Sequence, residues 1–290
     1  ALFVSGCATE PPAAPEPEPV PVTAAPEPAP APEPVPPAKP AEPEISKDRI
    51  ASLHEETLAL RKEAFGLGLQ DLLADGYSTA EKSYVAGKEA MDADDRKAAL
   101  DLLGTAKDSF AELLAKGGVM VAGNLATEAE AMRNLALKAG AVSLTDILLA
   151  TTDELAASAA RALDDGDWRK AIPLWRDASG GYDVTEKSAR AMTVRQKIDG
   201  LAFGPLDAGN YELAVRKLDA AGSLVPSDIQ TARDNADEAL LRFNLVLSRG
   251  WELTAGKRRD DADRYRRDSD SIKAQVAVRA AYTEAFLVWT

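Results

Sequence analysis

Proline confines where this chain can fold. Fifteen of its 18 prolines fall between Glu10 and Glu44, in a run of Pro, Ala, Glu and Val. Such a run buries too little apolar surface to offset the entropy of ordering it, so the sequence predicts a disordered linker over residues 8–45. Proline fixes φ and favours extended polyproline II, which gives the stretch a reach of roughly 110 Å at full extension. Its seven glutamates face a single lysine, Lys39, and their mutual repulsion favours extension further.

The remaining chemistry is sparse. One cysteine and one histidine leave no intramolecular disulfide, no cysteine-cluster metal site and no paired-histidine zinc site. A net charge of −13 argues against nucleic acid as a partner, since phosphate binding needs clustered Lys and Arg. Taking out the seven Glu and one Lys of the linker brings the charge from −13 to −7, which suits a soluble folded body. No nucleophile–base arrangement is visible, so the expectation is a protein that is not an enzyme and that carries no cofactor and no metal.

The cysteine has a distinctive setting. Ala1-Leu2-Phe3-Val4 is an apolar run followed by small residues, the form of the end of a secretory signal peptide. Val4-Ser5-Gly6-Cys7 resembles the lipobox of bacterial lipoproteins. That resemblance implies cleavage before Cys7, a lipidated (palmitate-bearing) N-terminus there, and a chain that begins further upstream than Ala1. Ala8, where an aspartate would retain such a protein at the inner membrane, implies the outer membrane of the cell envelope. More than one acyl chain anchors stably. No other apolar run approaches the length of a spanning helix.

From residue 46 onward the composition turns to Ala, Leu, Asp, Arg, Lys and Glu, with apolar residues at helical spacing, such as Ile50, Leu53, Leu58 and Leu60. Strand-like alternation is missing, and the body reads as all-α. A shift of 72 residues brings Ala59, Arg61, Ala64, Gly68 and Leu72 onto Ala131, Arg133, Ala136, Gly140 and Leu144. It likewise brings Asp95, Ala99, Leu102 and Ala106 onto Asp167, Ala171, Leu174 and Ala178, and Phe110 onto Tyr182. This predicts a duplicated unit consisting of a leading helix and a helical hairpin.

A second register, at 43 residues, sets Gly166, Trp168, Ala171, Trp175 and Ala178 on Gly209, Tyr211, Ala214, Leu218 and Ala221. The pattern from Gly209 through Tyr211, Ala214, Leu218 and Ala221 to Pro226 resembles the second half of a tetratricopeptide repeat (TPR). The resemblance implies an α-α superhelix over residues 46–226. In it Gly166 and Gly209 would close the turns, the small alanines let helices approach, and Pro226 ends a helix. Ala99, Leu103 and Ala106 form a weaker copy. Departures are plain: Pro205 occupies the usual tyrosine position, and the spacing is not the regular 34 residues. By the same resemblance, the groove is lined by Asp153, Ala156, Ala160, Leu163 and Asp164 in one repeat and by Gln196, Asp199, Phe203, Leu206 and Asp207 in the next.

Residues 227–290 read as two long helices, Ser227–Ala255 and Arg258 onward, with Tyr265, Ile272, Val276 and Leu287 apolar on the second. The apolar finish lacks a capping element, which predicts continuation beyond Thr290. Asp164-Asp165-Gly166-Asp167 reads as a hairpin turn, lacking the ligand spacing of a calcium loop. Gly66-Leu67-Gly68 reads as a helix end and His54 as a surface residue. Trp168, Trp175, Trp251 and Trp289 read as core. Lys257-Arg258-Arg259 and the arginines after it are interleaved with aspartates at i,i+4 spacing and read as a solvated charged face, with an anionic glycan or lipid headgroup as the alternative.

These features together predict a lipid-anchored envelope protein whose helical body captures a protein or peptide partner in the periplasm. The alternatives are an envelope-structural lipoprotein that reaches peptidoglycan through a further C-terminal part, and an accessory component of a solute transporter.

Overall fold

The structure, a computed structural model, describes residues 45–271, 276 and 278–289. The lipobox-like residues through Cys7, the linker expected up to Glu44, Ile272 and the side chain of Trp289 lie outside the described residues. All regular structure among the described residues is helical.

The first helix, α1 (Lys47–Gly66), is started by Ser46, whose hydroxyl accepts from the Arg49 N–H at 3.2 Å. It ends at Gly68, whose φ of +72° is left-handed and suits glycine. A one-turn helix, α2 (Leu69–Leu72), leads into α3 (Ala74–Asp92). The chain turns through Ala93–Asp95 and returns as α4 (Arg96–Lys138), whose first turn is capped by the Asp95 carboxylate on the Ala98 N–H at 3.1 Å.

Except for the cap that starts α1, these features recur 72 residues later. The last part of α4, 119–138, stands where α1 stood. Gly140, with φ +91°, repeats Gly68. Then follow α5 (Ala141–Leu144), α6 (Asp146–Asp164) and α7 (Trp168–Gly200), the last capped by Asp167 on the Lys170 N–H at 3.0 Å. The turn residue Asp94, φ +57°, becomes Gly166, φ +79°. A third unit is shorter and diverged. The end of α7 leads through Ala202, φ +54°, and a 3-10 turn (Gly204–Asp207) to α8 (Ala208–Leu224) and α9 (Ile229–Ser271). A last helix, α10 (Arg279–Trp289), follows.

The long helices tie the units together. At 43 residues, α4 is about 64 Å long. Its first half packs with α1 and α3, and its second half leads the next unit; α7 plays the same double part against α6 and then α8–α9. Ridge contacts are made by small residues: Ala64, Ala80, Ala99, Ala106, Ala136, Ala171, Ala178, Ala214 and Ala221 are all fully buried. Larger anchors, Leu103, Phe110, Tyr182, Ile198 and Phe243, fill the space between them.

Some expectations change. The two helices predicted after Pro226 are one through Ser271 in α9: the helix runs on through Gly256, and the arginines beyond it, spaced i,i+4 from Asp260 and Asp263, favour helix. The 43-residue register matched α7 with α8. By position in the fold α8 instead corresponds to α3 and α6, the first arm of a hairpin whose second arm is α9. Gly209 is accordingly the second residue of α8, not a turn, and the left-handed position of that unit is Ala202. His54 is mostly buried: its ring stacks on Tyr84 at 5.7 Å and its Nε2 is 3.0 Å from the Tyr84 hydroxyl. Trp168 is buried and Trp175 half-buried, but Trp251 is 47% exposed, meeting the Phe203 ring edge-on.

Candidate functional site

The residues expected to line a groove fall into three settings. Asp153, on α6, is tied into the frame. Arg133 of α4 donates to it twice, from Nε at 2.8 Å and from Nη2 at 3.1 Å, and the Tyr182 hydroxyl of α7 donates at 2.7 Å. The Arg133 hydrogen bonds hold the Asp153 carboxyl below the usual carboxylate range, against an opposing effect of burial. Burial, and then the bond to Asp153, push the Tyr182 hydroxyl well above the usual tyrosine range. The same tie exists one unit earlier, where Arg61 donates to Glu81 at 2.6 and 2.7 Å. Phe110 replaces Tyr182 there, and Arg61 lies over the Tyr84 ring at 5.2 Å instead. Asp153 thus joins three helices and is not an open ligand acceptor.

Asp199 and Asp207 serve the third unit. The Tyr211 hydroxyl donates to Asp199 at 2.6 Å, and the Tyr211 ring meets Phe243 edge-on at 5.7 Å. Burial raises the Tyr211 hydroxyl, with Asp199 adding to the effect. Asp207 caps α8, accepting from Asn210 N and Nδ2 at 3.4 and 2.9 Å. From Asn210 a polar chain runs across to α9: Arg242 donates to the Asn210 side chain at 2.7 Å and to Glu238 at 2.8 Å, and Lys217 reaches Glu238 at 2.7 Å. Phe203 is turned inward. It is 6% exposed, wedged over Gly250, with Trp251 edge-on at 5.2 Å. Phe203, Leu206 and Asp207 also lie beyond the end of α7, in the connector and the 3-10 turn, because α7 stops at Gly200 before Pro205.

Four expected residues remain exposed to solvent: Asp164 at the end of α6, Gln196 near the end of α7, Asp199 despite its bond from Tyr211, and Leu206, 45% exposed. Among the described residues no hydrogen bond or ion pair links the α6 pair, Asp153 and Asp164, to those of the third unit. The packing residues stand elsewhere. Gly166 turns the α6–α7 hairpin, Trp168, Ala171 and Ala178 face inward from α7 with Trp175 half-buried beside them, Ala214, Leu218 and Ala221 are buried on α8, and Pro226 follows its end.

In sequence, part of the chain is similar to Treponemal membrane protein A of Treponema phagedenis, at 24% identity over 167 residues. That stretch is 58% of this chain and 46% of the relative, so the chain spans about half of the relative's length. No protein-family model matches the chain. No solved structure matches it.

Two surface features had no sequence signal. A groove of about 750 Å³ and mixed lining lies between α2–α3 and α4, with Asp75, Thr79 and Glu112 beside Leu72, Leu73 and Leu113 on its walls. Leu241 and Leu245, one turn apart on α9, are 60% and 47% exposed. Helical spacing alone places them no differently from buried leucines nearby, and only the packing of α8 against one side of α9 distinguishes them. Among the described residues no helix is long and apolar enough to cross a membrane, and no group of three or more His, Cys, Asp or Glu is placed to hold a metal ion.

Proposed function

We propose that the chain is a membrane-anchored bacterial envelope lipoprotein whose TPR-like helical body is a scaffold that binds a protein or peptide in the periplasm. The observation that carries the reading is the body itself. Three helical-hairpin units share continuous helices, bury their cores through small residues, and leave Asp164, Gln196 and Leu206 exposed. Stacked hairpins of this kind present an extended surface of fixed shape, which suits protein capture better than catalysis. The lipobox-like Val4-Ser5-Gly6-Cys7 and the proline-rich segment supply an anchor and a tether of long reach. Similarity to a treponemal protein named as a membrane protein agrees with an envelope location. An outer-membrane site rests on Ala8 alone.

The anchor is tested by metabolic labelling with a radioactive fatty acid in a bacterium that expresses the chain behind a lipoprotein signal. The wild type takes up label and sediments with membranes, and Cys7→Ser loses both properties. Retention of Cys7→Ser in the membrane fraction refutes the lipid anchor. The scaffold is tested separately, by a photo-crosslinking residue at Gln196 or Leu206 in the living envelope. A discrete protein adduct is expected, and its absence at both positions argues against capture on this face.

A further inference from the structure

Arg258 apart, the second half of α9 carries a charge order that reads the same from either end with the signs exchanged. From Lys257 to Asp270 the order is Lys257, Arg258, Arg259, then Asp260, Asp261, Asp263, then Arg264, Arg266, Arg267, then Asp268, Asp270. Laid antiparallel on itself about the point between Asp263 and Arg264, the segment sets Asp263 on Arg264, Asp261 on Arg266, Asp260 on Arg267, Arg259 on Asp268 and Lys257 on Asp270. Every charged residue that meets a charged residue meets the opposite sign, and Arg258 meets Ser269. Laid parallel in register, every charge meets its own kind.

Helical geometry gathers the centre of this pattern on one side. Asp260, Asp263, Arg264 and Arg267, at i, i+3, i+4 and i+7, share a stripe, with Lys257 and Asp270 at its edges. The side away from it faces α10 across a cavity of about 310 Å³ lined by Ala262, Tyr265, Ser269, Tyr282 and Ala285. The Tyr282 hydroxyl of α10 donates to Asp270 at the edge of the stripe. All the stripe residues are exposed except half-buried Asp263.

Three charges of the stripe and its edge, Lys257, Asp260 and Arg267, differ from those elsewhere in the body. In the three units, cations reach carboxylates on another helix, as in Arg61–Glu81, Arg133–Asp153, Lys187–Asp237 and Lys217–Glu238. The stripe residues Arg264 and Asp263 pair along their own helix, Arg264 with Asp261 at 3.5 Å and Asp263 with Arg266 at 3.8 Å. Lys257, Asp260 and Arg267 make no ion pair among the described residues.

We propose that this stripe docks on the same stripe of a second copy of the chain, antiparallel, across a two-fold axis near Asp263 and Arg264. The two-fold makes each pairing occur twice, and such self-complementarity is what an isologous contact requires. Exposed ion pairs contribute little singly and are screened by salt, so the association is weak, orientation-specific and strongly salt-dependent. It does not depend on the lipid anchor or on capture of a partner.

Sedimentation velocity on the full chain, in reducing buffer so that Cys7 forms no disulfide, tests this between about 1 and 100 µM. A dimer is expected at about 20 mM salt, with its dissociation constant raised about tenfold or more at about 500 mM. Two variants, each checked for helical content, decide the geometry. Arg264→Asp with Arg267→Asp makes the stripe wholly acidic, and Asp260→Arg with Asp263→Arg makes it wholly basic. Each variant alone is expected to stay monomeric at low salt, and an equimolar mixture to form a heterodimer. A wild type that remains monomeric over the whole range at low salt, variants that self-associate as the wild type does, or a mixture that fails to associate would overturn the proposal.

Discussion

Alanine at Gly118 and alanine at Gly123 are the same substitution in the same helix, and the structure gives them opposite consequences. A Cβ built on Gly118 lies 2.3 Å from Trp168 Cδ2, 2.5 Å from Cε3 and 2.6 Å from Cε2. Carbon atoms pack at about 3.5–4.0 Å, so the indole or the helix must move by roughly 1.2 Å or more. The indole has little freedom to do so: Trp168 is 8% exposed, is the first residue of α7, and lies under the Arg169 guanidinium at 4.2 Å. Overpacking of this kind costs about 1–3 kcal/mol, against which alanine recovers about 1 kcal/mol of helix propensity. Gly118→Ala is therefore expected to lose about 0–2 kcal/mol. Around Gly123 no atom comes within 4 Å of a Cβ. There the propensity term stands alone, and Gly123→Ala is expected to gain about 0.5–1 kcal/mol. Urea denaturation followed by far-ultraviolet circular dichroism measures both, and the corresponding shift in melting temperature is about 2–4 °C per kcal/mol for a body of this size. A Gly118→Ala midpoint equal to or above that of Gly123→Ala would refute the close-approach reading of the α4–α7 contact.

Two further outcomes follow from the repeat and from its ties. Ala202 holds a left-handed φ of +54° where the earlier units have Gly68 and Gly140, so Ala202→Gly is expected to raise stability by about 0.5–1 kcal/mol in the same denaturation assay, with destabilisation as the contrary result. The Asp153 carboxyl is held below its unfolded value by Arg133, so its contribution is complete above the ordinary carboxylate pKa of about 4 and is lost as pH falls through the lower folded value. Asp153→Asn should remove that part of the acid-side fall in urea midpoint while lowering the midpoint at neutral pH, and an unchanged acid profile would show that the pair does not act on stability.

What could be read in the sequence was what local chemistry enforces. The 72-residue register was visible because Asp95 and Asp167 cap helices and Gly68 and Gly140 end them, and those tasks admit few residue types. The 43-residue register was visible for a weaker reason. Small residues at i, i+3, i+4 and i+7 suit any closely packed helix, so α7 and α8 share a pattern while standing on opposite arms of their hairpins. Pairings across a hairpin were not visible. His54 and Tyr84 are 30 residues apart, and only the return of α3 past α1 brings them together and hides the histidine. The burial of Phe203 was hidden for the same reason: nothing near it in sequence announces the bare backbone of Gly250, on which it packs.

The glycines inside the long helices carry the most information about how the units are joined. Gly117-Gly118 in α4 and Gly180-Gly181 in α7 stand where propensity alone would end a helix, each residue costing about 1 kcal/mol relative to alanine. Each pair sits where neighbouring elements press on the helix. A Cβ at Gly117 would meet Leu69 at 2.6 Å and one at Gly118 would meet Trp168. One at Gly180 would meet Ile229 at 2.4 Å and one at Gly181 would meet Thr152 at 2.8 Å. Trp168 and Ile229 are the first residues of α7 and α9, so the same crossing, the start of one long helix against the middle of the preceding one, is built twice. A helix that is the last member of one unit and the first of the next transmits its position rigidly, and the glycine pair lets the following unit dock at the midpoint without breaking it. Independent fraying of a unit would require melting half of a helix whose other half is buried, so the units should open together. An extended surface held at fixed spacing along the body is the consequence, and it is the property on which a scaffold depends.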